Sequence, residues 1–306
     1  MLDSIQRNLL EQVADLHEVP EGAYNIRNNG ELAGRNTTAN IDIVTKEDKS
    51  GIDIIIKPGT KKESVHIPVI LSKSGLKETV YNDFFIGDDC DVTIVAGCGI
   101  HNSGDEASEH SGIHRFFVGK NAKVRYVEKH YGDGDGNGER IMNPTTEITL
   151  GANSYMELET TQIKGVDSTC RVTRAVVEEG ATLIIKEKIM THGKQYAKTD
   201  FSVDLNGAGS SANVISRSVA KDHSTQVFLA NINGNCPCTG HSECDAIIMD
   251  EASVSAIPQI TANHVDASLI HEAAIGKIAG EQLIKLMTLG MTEKEAEEQI
   301  VNGFLK

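Results

Sequence analysis

The sequence predicts a mainly β protein, a solenoid of stacked strands with a helix at its start and a helical hairpin at its end. Three observations carry this expectation. Roughly fourteen short segments between Ile41 and Gly234 alternate apolar with polar residues and are separated by Gly, Asn and Asp. No helical pattern lies between them, which excludes a doubly wound α/β fold and leaves a sandwich, a propeller or a solenoid. The core must be aliphatic, because aromatics make up 4% of the 306 residues and there is no Trp. Stacked aliphatic rungs suit that composition better than an aromatic-rich propeller, and such a stack needs a cap at each end.

Taken in order, residues 2–17 read as an amphipathic helix. Leu2, Ile5, Leu9, Leu10, Val13 and Leu16 recur at helical spacing, with Asp3 and Ser4 as caps. Residues 18–38 are rich in Gly and Asn and read as a linker with little apolar anchorage. The strand pattern follows, as in IDIVTK, GIDIIIKP and SVHIPVIL. Several turns share one shape: FFIGDDCDVTIVAG, FFVGKNAKVRYVE, ITLGANSYMELE and VVEEGATLIIKE each end a strand, turn, place a small residue and begin a new strand.

Residues 98–114 read as an insertion carrying Cys98, His101, His110 and His114, either a metal-binding group or a solvated polar loop. Residues 131–140, YGDGDGNGER, read as a flexible loop and lack the acidic twelfth position of an EF-hand. At the end, Leu283, Ile284, Leu286, Met287 and Leu289 form one helix stopped by Gly290. Thr292 and Glu295 form a capping box for a second helix striped with Ala296, Ile300, Val301 and Phe304. The expected division is an N-terminal helix and linker (1–38), a β core (39–265) and a C-terminal helical region (266–306).

A net charge of −15 makes nucleic acid and anionic membrane surfaces poor partners. The N-terminus lacks the apolar core of a signal peptide, and no stretch approaches a membrane span. A cytoplasmic protein is expected, with its six cysteines serving as ligands, nucleophiles or buried apolar residues instead of disulfides.

The chemistry concentrates between Cys236 and Glu272. Cys236, Cys238, His241 and Cys244 read C-x-C-x-x-H-x-x-C, which offers four soft ligands to zinc or to an iron–sulfur cluster. Cys244 precedes the aliphatic run DAIIMD, which would hold it rigidly. His271 and Glu272 add an imidazole and a carboxylate, without the second His of a zinc-protease motif.

Cys244-Asp245 before an aliphatic strand, the Ala256-to-Pro258 turn, His271-Glu272-Ala273, Gln282-Leu283, Gly290 and Asn302-Gly303-Phe304 follow one another over roughly the last 120 residues. In this order they resemble the SufB/SufD family of the SUF iron–sulfur cluster assembly machinery. The HEA triplet resembles the SufB branch, and the chain is similar to its compact, archaeal-type form.

The resemblance implies a right-handed parallel β-helix. It implies a scaffold, not an enzyme, that builds a labile iron–sulfur cluster and passes it to apo iron–sulfur proteins. Cys244, Glu272 and His271 would be the assembly residues, with Cys236, Cys238 and His241 as auxiliary ligands. Pairing would be with a second copy or a SufD-like paralogue. A SufC-type ABC ATPase would dock on the C-terminal helices, here through Leu283, Leu286, Met287, Ile300 and Phe304. The chain has no phosphate-binding G-x-x-x-x-G-K-[ST] loop, so nucleotide belongs to the partner. Two other classes remain: a structural-zinc solenoid acting as an interaction platform, and a β-helix polysaccharide lyase or hydrolase. Few aromatics for sugar stacking, the cysteines and the absent secretion signal count against the latter.

Overall fold

A computed structural model describes residues 3–14 and 20–306. Helix α1 (Ser4–Ala14) leads into β1 (Ala23–Asn28), β2 (Glu31–Asn36), β3 (Ile41–Thr45) and β4 (Gly51–Ile56). The chain then winds between two sheets. The first takes β5 (Lys61–Leu71), β7 (Asp91–His101), β9 (Lys123–Asp133), β12 (Tyr155–Lys164), β14 (Thr182–Thr191), β16 (Ser211–Ala220), β18 (Cys238–Ile248) and β20 (Ala267–Gly276). The second takes β6 (Lys77–Ile86), β8 (Ser108–Val118), β10 (Arg140–Met142), β11 (Thr145–Leu150), β13 (Ser168–Val177), β15 (Tyr196–Leu205), β17 (Thr225–Gly234) and β19 (Ser253–Ala262). From β5 onward every pairing is parallel. The predicted β-solenoid is therefore present, with about 8 turns.

Alternation builds it. Along β9 and β14 every second residue is buried between the sheets, and the intervening ones face out. Successive turns stack in register, with Leu158 beside Ile185 and Ile185 beside Val214. Aliphatic side chains thus form continuous columns. The shared turns also repeat structurally. Asp89, Asn121 and Asn153 take left-handed φ values of 57°, 54° and 56°, which short polar side chains tolerate. Each is followed by a small buried residue: Cys90, Ala122 and Ser154.

Four expectations are corrected. The stretch 18–38 is not a linker over its described part: β1 and β2 form an antiparallel hairpin, and β1 adds in parallel to β5. Asn29 and Gly30, with φ of 50° and 83°, supply the tight turn that an Asn-Gly pair favours, and Ala23 and Ile26 are buried. Residues 98–114 are not an insertion, since all but 102–107 lie within β7 and β8. The solenoid does not stop at 265, because β20 runs to Gly276. In α1, Leu9, Leu10 and Val13 are buried, but Ile5 is 41% exposed, and Leu2 and Leu16 lie outside the described residues. Asp3 and Gln6 cap that helix reciprocally, at 2.8 and 3.1 Å.

The C-terminal hairpin consists of α2 (Gly280–Thr288) and α3 (Glu293–Phe304). The Thr292–Glu295 capping box is formed, and Gly290 adopts a left-handed φ of 98°. Val301 and Leu305 pack with Val219 and Met249 on the solenoid, whereas α2 buries no residue. Among the described residues no helix is long and apolar enough to cross a membrane.

Candidate functional site

Period-two alternation decides where each candidate in β18 points. Cys238, Gly240, Ser242 and Cys244 face inward and are buried, while His241, Glu243 and Asp245 lie on the outer phase. Cys244 is 3% exposed and sits between Ser216 on β16 and Ala273 on β20. Burial, reinforced by the Glu187 and Asp245 carboxylates, pushes its thiol up to about 12.

The four-ligand reading of C-x-C-x-x-H-x-x-C is overturned. His241 lies on the opposite face from the cysteines, and a rise of about 3.3 Å per residue puts Cys238 and Cys244 about 20 Å apart along the strand. Cys236 instead donates to the carbonyls of Gly207 and Leu205 at 2.9 and 3.3 Å. Among the described residues no three His, Cys, Asp or Glu side chains converge as a ready metal site, and zinc has no support as a structural ion at this tetrad. All six cysteines are free thiols.

β20 is the terminal strand of its sheet. Its register sets His271 beside Ser242 and Glu272 beside Glu243. His271 therefore shares the inward phase with Cys244, and Glu272 shares the outer face with His241, whose Nε2 lies 3.6 Å from Glu272 Oε2. Within one chain the structure joins Cys244 with His271 on one side of the sheet, and His241 with Glu272 on the other. Of the early histidines, His110 and His114 line an interior cavity with Cys98, whereas His101 stands beside Asp133 in a groove under α1.

A polar network inside the solenoid escaped the sequence reading. Glu128, Thr160, Glu187, Ser216 and Cys244 form one inward column across five successive turns. Arg171, from the opposite sheet, bonds Glu128 at 2.5 Å and lies 3.9 Å from Glu187. Glu187 accepts from Ser216 at 2.8 Å and from Thr199 at 2.9 Å. Tyr126 donates to Glu128 at 3.2 Å, and His114 Nδ1 lies 2.6 Å from the Tyr126 hydroxyl. Burial would raise the Glu128 carboxyl, but Arg171 and His130 hold it well below its ordinary value. At Glu187 burial wins against Arg171, and its carboxyl is raised. The readable signal was charge on the apolar phase: Glu128 and His130 continue the Val124–Tyr126 series, and Arg171 falls between Thr169 and Thr173.

Burial also lowers His114 to about 4, against the opposing pull of Glu128. An unfolded imidazole takes its proton near ~6.5. The stability this contributes is complete above that pH and is lost as pH falls toward 4. In chelator-treated protein, Tm should therefore fall more steeply between pH 6.5 and 4 for the natural chain than for His114→Gln. Parallel slopes would contradict the assignment.

Two stacked parallel sheets, a buried polar network among aliphatic columns and a thiol one strand from the terminal edge define a β-solenoid core protein. The chain belongs to the SufB/SufD family. A family profile described as "SUF system FeS cluster assembly, SufBD core domain" matches residues 81–304. An iron–sulfur cluster assembly SufBD family protein of Archaeoglobus fulgidus is 31% identical over 265 residues, covering 85% of this chain and 69% of that one. One from Methanocaldococcus jannaschii is 28% identical over 255 residues, covering 82% and 79%. Another, from Pyrococcus horikoshii, is 28% identical over 285 residues, covering 90% and 84%. Family membership makes the chain a component of iron–sulfur cluster assembly.

Proposed function

We propose that this chain is a cytoplasmic, SufB-like scaffold on which a labile iron–sulfur cluster is built at the open end of the solenoid, between two chains, and then passed to apo-proteins. The observation that carries the reading is the position of Cys244. It lies one strand from the terminal edge, with only the methyl group of Ala273 beside it there and His271 on the same inward phase. The cluster is cargo, and a scaffold must let it go. Four cysteines would hold it tightly, whereas one thiolate per chain with His271 of the same chain, or with Glu272 reached from the paired chain, leaves it exchangeable.

Pairing at this end is favoured by the edge itself. β19 and β20 each have a neighbour on one side only, and unpaired strand edges recruit further strands. Ile257, Ile270, Ile260 and Ile275 are 56%, 54%, 41% and 40% exposed there. The second chain is a copy of this one or a SufD-like paralogue. The ATPase dock is the C-terminal hairpin: no residue of α2 is fully buried, Leu283 and Leu286 are half-buried, and Ile284, Met287 and Leu289 are exposed. Ile300 and Phe304 are half-buried on α3 and would contribute only at the margin of that dock. A SufC-type ATPase seated there would drive opening and closing of the paired ends by favouring one arrangement.

Anaerobic sedimentation tests the pairing. The natural chain should sediment as a dimer, and Ile257→Asp/Ile270→Asp as a monomer that no longer takes up iron and sulfide. A monomeric variant that retains full cluster uptake would sink the interface reading.

A further inference from the structure

The outer face of the first sheet carries a diagonal ladder of ion pairs. Lys186 bonds Glu157 at 3.1 Å and Lys188 lies 3.6 Å from Glu159, so each lysine reaches two residues back on the preceding strand. The same step from Arg217 on β16 leads to a cation, Lys186, because Arg217 stands directly beside Lys188. Like charges side by side on adjacent strands destabilise a sheet. Asp245 and Glu243 of β18 lie on the other flank of Arg217 and crowd one another, which with burial raises the Glu243 carboxyl. Neither makes an ion pair with Arg217, and Arg217 Nε is buried without a hydrogen-bond partner. A buried donor left unpaired is costly.

A cleft of about 290 Å³ opens over this break in the ladder. Lys186, Lys188, Arg217 and Lys306 bring four cations to its lining, on a chain whose net charge is −15. Glu159 and Ile215 complete the wall, and Glu187 borders it but is turned inward to Ser216 and Thr199. Lys306 arrives there because Leu305 packs on Val219 and Met249, which brings the end of α3 over β16. Glu157 and Glu159 offset Lys186 and Lys188. Arg217 and Lys306 are left, among the described residues, as the lining cations without an ion pair. A phosphate group fits this deficit. It carries about two negative charges at neutral pH, where a carboxylate carries one. Its oxygens match the guanidinium fork two at a time. Ligand pockets run upward from about 300 Å³, so the cleft suits a small molecule and not a polymer.

We propose that the cleft between the outer face of β14 and β16 and the end of α3 binds the phosphate group of a small molecule, either free phosphate or a phosphate monoester. Arg217 takes two oxygens through its guanidinium, Nε–H included, and Lys306 closes from the helix side. Lys188, already partnered, adds attraction without a dedicated bond. The bound group ties the end of α3 to the sheet beside the Val219–Leu305 packing.

Isothermal titration calorimetry on the full-length chain, in a phosphate-free zwitterionic buffer at fixed ionic strength, tests the site. The probes are inorganic phosphate, glycerol 3-phosphate and a tetraglutamate peptide. One phosphate-bearing probe per chain should bind saturably. Equal affinity for the two phosphates assigns the site to the free anion, and preference for glycerol 3-phosphate assigns it to a monoester. Arg217→Gln and Lys306→Gln should each weaken binding at least tenfold with an unchanged circular dichroism spectrum. If Arg217→Gln fails to fold, Lys306→Gln, at an exposed position, carries the comparison. Absence of saturable binding by both phosphates, tighter binding of the peptide than of either, or natural affinity in the folded variants overturns the site. None of these outcomes depends on cluster assembly at Cys244.

Discussion

Arg171→Met should destabilise the protein by about 3–5 kcal/mol, the range for breaking a buried ion pair by removing one partner. Arg171 is 4% exposed and faces two carboxylates, Glu128 at 3% and Glu187 at 4%. Methionine fills much of the same volume but leaves both acids in an apolar interior without a cation. Glu128 then loses the charge that keeps it ionised, and Glu187 loses its one opposing cation. Adding Glu128→Gln and Glu187→Gln to Arg171→Met should restore most of the loss, because the buried charge goes with its partner. Denaturant unfolding followed by circular dichroism reads both results. A loss below about 1 kcal/mol for Arg171→Met would show that water enters the solenoid freely at this level.

The solenoid was legible because its rule is local. Alternation fixes which face is buried, and the repeated turns punctuate it, so β5 to β18 follow from the pattern. The capping box at Thr292 was equally direct. Asn29-Gly30 was misread because a Gly/Asn-rich stretch was weighed by composition; as a dipeptide it names a hairpin turn.

At the site, Cys244 was recognisable by its motif, but close sequence spacing to Cys238 and His241 was mistaken for proximity of ligands. In a strand, neighbours three apart point to opposite faces, and those six apart are far from one another. His271 and Glu272, adjacent in sequence, are divided between two faces by the same rule. The interior column of Glu128, Glu187 and Ser216 depends on turn-to-turn register, which lengths of 27 to 32 residues per turn conceal until strands are paired.

The second large effect concerns Cys244 itself. A thiol pushed up to about 12 must surrender a proton before it can ligate iron. In the proposed scaffold that competition from the proton weakens the hold of Cys244 on a cluster at neutral pH. On the proposed reading, burial and the Glu187 and Asp245 charges would make Cys244 a releasing ligand. Cluster retention should improve as pH rises from 7 toward 9.

The most direct measurement is anaerobic reconstitution with iron and sulfide, read by visible absorption and by iron and sulfide analysis. The natural chain, Cys244→Ala and Glu272→Ala would be compared at equal concentration. The account predicts a cluster on the natural chain, none on Cys244→Ala, and a markedly reduced yield on Glu272→Ala. If both variants hold as much cluster as the natural chain, the cluster is not built at this end of the solenoid.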